Sequence, residues 1–77
     1  MREFDIILHS LRQVQDFVTL AMVQPFDISV GNEGQCINGK DLMGMFSLDY
    51  SRPVRVRVHS TQEEFFTFRS SAAQFLA

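Results

Sequence analysis

Few side chains in these 77 residues could do chemistry. There are two histidines, His9 and His59, and one cysteine, Cys36. A reactive thiol needs an electropositive setting, and nothing around Cys36 supplies one. His59 has no partner at metal-ligand spacing. No Ser-His-Asp, Cys-His or paired-carboxylate arrangement can be assembled, so an enzyme, a metal and a cofactor are all unexpected. Arg55 and Arg57 form a short basic row. It could meet a phosphate or an acidic partner, but a solvated strand face is the simpler expectation, since charge there also discourages edge pairing. The densest local signal is at residues 39–48, Gly-Lys-Asp-Leu-Met-Gly-Met-Phe-Ser-Leu. A turn is followed by Asp41, a good helix cap. Leu42, Met43, Met45 and Phe46 then cluster, and methionine suits adaptable binding surfaces.

The elements that must position these residues fit in one domain spanning residues 1–77, since so short a chain has no room for a second core. Its apolar fraction is 45% with eight Phe and no Trp, too rich for disorder. Seven basic and nine acidic residues leave a net charge of −2, which gives no footprint for nucleic acid or an anionic membrane. A single cysteine cannot make a disulfide framework, and no apolar run approaches the ~18 residues of a membrane span. With no signal peptide visible, the cytoplasm is the expected location.

Phe4, Ile6 and Leu8 alternate with Asp5, Ile7 and His9, a half-buried strand running to His9. Ser10 opens a helix and Gln13 follows at capping-box spacing. Leu11, Val14, Phe17, Val18 and Ala21 fall on one helical stripe before Pro25 limits it. Phe26–Val30 reads as a second strand, residues 31–34 as a hairpin turn, and residues 35–38 as a third strand. Asp41 begins a short helix to about Phe46 or Ser47, weakened by Gly44. Pro53 starts a fourth strand with Val54, Val56 and Val58 inward and Arg55, Arg57 and His59 outward. Ser60, with Glu63, caps a last helix whose apolar face is Phe65, Phe68, Ala72, Phe75 and Leu76, widened by Phe66 and Ala73. The order β-α-β-β-α-β-α predicts a two-layer α+β domain.

That order, with Asn38–Leu48 leading into the central helix, resembles HPr, the histidine-containing phosphocarrier of the bacterial sugar phosphotransferase system. Typical members read Lys-Ser-Ile-Met-Gly-Val-Met-Ser-Leu where this chain reads Lys40–Leu48, departing at Asp41, Leu42, Met45 and Phe46. The resemblance covers most of the chain, with short deletions in two loops and a shortened C-terminus. It implies an open-faced two-layer sandwich: a four-stranded antiparallel sheet with helices on one face. It also implies protein partners of the phosphotransferase or catabolite-repression type, and docking of partners on the short central helix, here Leu42, Met43, Met45 and Phe46; the alternative is that two of these four plug the core instead.

The family carries phosphate on a histidine at the start of the first helix, in the sequence His-Ala-Arg-Pro. Counting without gaps from Asp27 puts Ser10 at the histidine, Arg12 at the arginine and Gln13 at the proline. His9 is adjacent. Either it substitutes as phosphoryl acceptor, or it is an ordinary exposed residue at a strand end and Ser10 an ordinary cap. The second reading is preferred, because a slip toward the strand rotates the ring away from the helix terminus. Arg12 and Ser10 could still hold an anion with the first-turn N–H groups; equally, Arg12 could be a solvated helix residue. Asp41 stands where Gram-positive HPr carries its regulatory serine. It is either a permanent phosphoserine mimic or simply a cap, and the cap is favoured because one charge on two oxygens is a poor match for phosphoserine. The catabolite-repression paralogue of HPr also lacks the histidine, but it keeps the serine. The expectation is a non-enzymatic HPr-like protein acting by protein–protein binding. A phosphocarrier using His9 and an unrelated α+β ligand-binding module are the alternatives.

Overall fold

The computed structural model describes residues 2–32 and 34–77. The strands are β1 (Arg2–Ile6), β2 (Asp27–Asn32), β3 (Gln35–Asn38) and β4 (Val54–His59), and the helices are α1 (Leu11–Met22), α2 (Leu42–Met45) and α3 (Gln62–Ser71). All strand pairs are antiparallel, in the spatial order β1-β4-β2-β3. The period of two in β4 decides the layering. Val54, Val56 and Val58 are buried while Arg55, Arg57 and His59 are exposed. Register then carries the same division to its neighbours: Phe4 lies opposite Val56, and Val30 opposite Val56 on the other side. The inner face is covered by helices and the outer face is open, the HPr-like sandwich expected from the sequence.

Phenylalanine fills the space between the layers. Phe17 of α1 meets Phe68 of α3 with ring centroids 6.1 Å apart, and Phe68 also meets Phe4 at 5.9 Å and Phe26 at 5.8 Å. Tilted and edge-to-face pairs of this kind are worth roughly 0.5–1.5 kcal/mol each beyond area burial. No buried side-chain nitrogen or oxygen among the described residues lacks a hydrogen-bond partner.

Several boundaries differ from the sequence reading. The first strand stops at Ile6 rather than His9. Beyond it, the Ile7 N–H donates to the Phe75 carbonyl at 2.8 Å, and a bridge pairs Ile6 with Leu76. The chain's last residues therefore close the β1 edge, with the Ala77 N–H donating to the Asp5 carbonyl at 3.1 Å. The β2–β3 turn is tighter than residues 31–34, because Asn32 pairs with Gln35. Gly34 has φ +77°, a conformation that costs glycine little; Glu33 lies outside the described residues.

The last helix is capped by Thr61, not Ser60. Thr61 Oγ1 accepts the Glu64 N–H at 3.1 Å, and a Glu64 carboxylate oxygen accepts the Thr61 N–H at 3.0 Å. The helix ends at Ser71, and a 3-10 turn over Ala73–Phe75 turns Phe75 inward. Phe66 (54% exposed) and Ala73 do not join the core. Leu11 also leaves the predicted stripe, at 68% exposure. No helix of the described residues is long and apolar enough to cross a membrane.

Candidate functional site

The start of α1 is built by Ser10. Its backbone is extended (φ −153°, ψ 162°), and its hydroxyl accepts the Gln13 N–H at 3.2 Å. The Gln13 side chain turns back, but one residue further than a capping box requires: Gln13 Oε1 accepts the His9 N–H at 2.6 Å. His9 is exposed and sits in the loop directly before the cap. It is not a strand-end residue, so the argument that strand geometry turns its ring away loses its basis. Arg12 is engaged along the helix rather than at the first-turn amides. Its Nε donates to Asp16 Oδ1 at 3.2 Å, one turn along the helix, and its side chain is 81% exposed. Exposed i,i+4 pairs of this kind contribute about 0.3–0.5 kcal/mol.

The second position expected from sequence, Asp41, caps α2. Asp41 Oδ1 accepts the Gly44 N–H at 3.2 Å. Gly44 makes this possible by close approach. A Cβ there would lie 2.7 Å from Ile37 Cγ2 and 2.8 Å from Asp41 Oδ2. The glycine that weakens the helix by propensity is what lets α2 lie on β3 with its cap in place. Lys40 ties this end to the far end of α1, its Nζ donating to the Gln24 carbonyl at 2.7 Å.

Of the four residues expected to meet partners, the structure exposes Met43 at 77% and half-buries Leu42 and Phe46. Met45 is a correction. It is 0% exposed and part of the core, so it cannot present a side chain to a partner. The helical turn that turns Met43 outward turns Met45 inward.

Tyr50 is a site residue that sequence reasoning passed over. Its hydroxyl donates to the Met45 carbonyl, and burial pushes the phenol up to about 12. The available signal was the chain's one tyrosine next to a helix too short to hold itself. Tyr50 and Ser51 also line a shallow depression that His9 and Ser10 share. The loop under it is held by Asp49, whose carboxylate accepts the Ser51 N–H at 2.9 Å; this bond holds its pKa below the usual value.

The basic row on the open sheet face is already neutralised. Register places Asp5 opposite Arg55 and Glu3 opposite Arg57. Arg55 Nε lies 3.0 Å from Asp5, its Nη1 3.3 Å from Glu3, and Arg57 Nε 3.1 Å from Glu3. The bond that Arg55 donates to Asp5 leads the effects that push the Arg55 pKa further up. The solvated-face expectation fits this geometry better than a phosphate site. Cys36 is exposed on β3, and His59 lies at the end of β4. Among the described residues no cluster of three or more His, Cys, Asp or Glu could hold a metal.

No family model matches this chain, and no curated protein does either. Among solved structures it is similar to one described as the crystal structure of HPr-C-His from Thermoanaerobacter tengcongensis. The two share 25% identity and a TM-score of 0.74, over 96% of this chain and 92% of that one.

Proposed function

Since this chain is HPr-like in topology and three-dimensional form, we propose that it is a protein of the sugar phosphotransferase system or its regulation. On this reading it acts by protein–protein binding and does not pass on phosphate through a histidine. The observation that carries the reading is the occupant of the α1 cap. Ser10 stands where the family places its acceptor histidine, and its oxygen is taken by the Gln13 N–H. A hydroxyl with a pKa far above that of imidazole cannot replace the histidine in reversible phosphoryl exchange. Binding is served by α2, where Met43 is exposed and Leu42 and Phe46 are half-exposed beside it.

Asp41 is read as a cap first, since its carboxylate is engaged with the Gly44 N–H. The likeness in three dimensions also removes the support for an unrelated α+β module. A second reading keeps one specific observation in its favour: His9 is exposed and directly precedes the α1 cap, so a phosphocarrier on His9 remains a defined rival. Incubation with phosphoenolpyruvate, the first enzyme of the system and Mg²⁺ separates the two. The protein is expected to take up no phosphate; phosphate on His9 would select the rival.

A further inference from the structure

β1 stands at one edge of the sheet, and an edge strand offers unpaired N–H and C=O groups to any other strand. Its outward groups belong to Asp5 and Ile7, which bond away from β4, and by alternation to Glu3. Residues 75–77 lie along this edge as a rudimentary fifth strand. The Ile7 N–H donates to the Phe75 carbonyl, Leu76 bridges Ile6 in the antiparallel sense, and the Ala77 N–H donates to the Asp5 carbonyl. Phe75 anchors the segment: it is buried and meets Phe17 edge-on with ring centroids 5.9 Å apart. Leu76 is only partly buried and Ala77 is exposed, so these two are the loosely held part of the cover. Uncovered, the edge suits a second copy of itself. Antiparallel pairing about Asp5 sets Glu3 against Ile7 of the second copy and Phe4 against Ile6, so core-facing side chains meet core-facing side chains. The one like-charge pair, Asp5 with Asp5, is softened because each Asp5 already lies 3.0 Å from its own Arg55. The opposite edge, β3, has four residues and is protected by that shortness.

We propose that residues 75–77 are an autoinhibitory strap. They occupy the β1 edge and keep it from pairing with β1 of a second copy, so loosening them converts a monomer into a dimer built on that edge. The proposal holds whether or not His9 carries phosphate. Two variants of the full chain test it. Ala77→Pro removes the N–H that reaches Asp5. Leu76→Gly combined with Ala77→Pro also removes the side chain that holds the strap down, leaving Phe75 in place. Ala77 is exposed, so the single variant keeps every core contact. By sedimentation equilibrium, Ala77→Pro should self-associate about threefold more tightly than the parent chain, and the double variant about tenfold. Pairing about a two-fold axis consumes the edge, so growth should stop at the dimer. The Glu3 N–H, which has no bond beyond the sheet among the described residues, should then gain protection from hydrogen exchange. A folded Ala77→Pro protein that associates no more tightly than its parent would overturn the proposal. So would assembly beyond a dimer, or a dimer whose Glu3 amide exchanges as fast as in the monomer.

Discussion

Ser10 and Gln13 close the start of α1 on itself: the Ser10 hydroxyl accepts the Gln13 N–H at 3.2 Å, three residues along the chain. The resemblance to HPr would put a histidine and a proline at these two positions, and a proline has no N–H to give. Here the cap is satisfied internally. Ser10→Ala should cost about 1 kcal/mol of stability in urea unfolding, and Ser10→Gly only a few tenths. Equal losses for both would mean that the hydroxyl is not the cap.

Asp41 and Gly44 should behave as a unit. Asp41→Ala is expected to lose about 1 kcal/mol, as a lost N-cap does, while Asp41→Asn, also a good cap, should lose little. Gly44→Ala should destabilise by roughly 1–3 kcal/mol through overpacking against Ile37 and Asp41, although alanine is the better helix former. If Gly44→Ala instead stabilised the protein, the close approach would be wrong. The mimicry idea has its own check. Binding to HPr-type partners that is unchanged by Asp41→Ala would end it.

Met43 and Met45 lie two residues apart and should have opposite phenotypes. Met45→Ala is expected to cost about 2–5 kcal/mol in unfolding experiments, as buried methionines do. Met43→Ala should stay within about 0.5 kcal/mol and weaken partner binding instead.

The Asp49 bond to Ser51 sets an acid dependence. The folded-state pKa lies below the ordinary aspartate value, so its contribution is present above that ordinary value. It is lost as pH falls through the folded pKa. Followed by NMR, the Ser51 amide should titrate with a midpoint below the ordinary aspartate range. Asp49→Asn should abolish that titration; a midpoint above the ordinary aspartate value would contradict the bond.

How far the sequence could be read depended on whether a signal was local. The β4 alternation specified which face is buried, and the spacing of Val14, Phe17, Val18 and Ala21 specified the buried side of α1. Asp41 was legible as a cap because a cap reaches only three residues. The cap of α3 was misplaced by one because Ser60 and Thr61 each precede a glutamate at the same spacing. Thr61 is the cap that lets Phe65, Phe68 and Ala72 face the sheet and the other helices. Tertiary facts left no local trace. Tyr50 reaches the Met45 carbonyl only once the loop folds back, Gly44 is required only once Ile37 lies beneath it, and Arg55 is neutralised only once β1 pairs with β4. The position of His9 misled for the same reason, since it depended on where the β1–β4 ladder ends, at Ile6 opposite Val54.

The central claim is that the scaffold no longer carries phosphate on histidine. The direct measurement is radiolabelled phosphoenolpyruvate with the first enzyme of the phosphotransferase system and Mg²⁺, run beside an ordinary HPr as positive control. The control should acquire acid-labile and heat-labile phosphate while this protein acquires none. Label on this protein that maps to His9, and disappears in His9→Ala, would contradict the account.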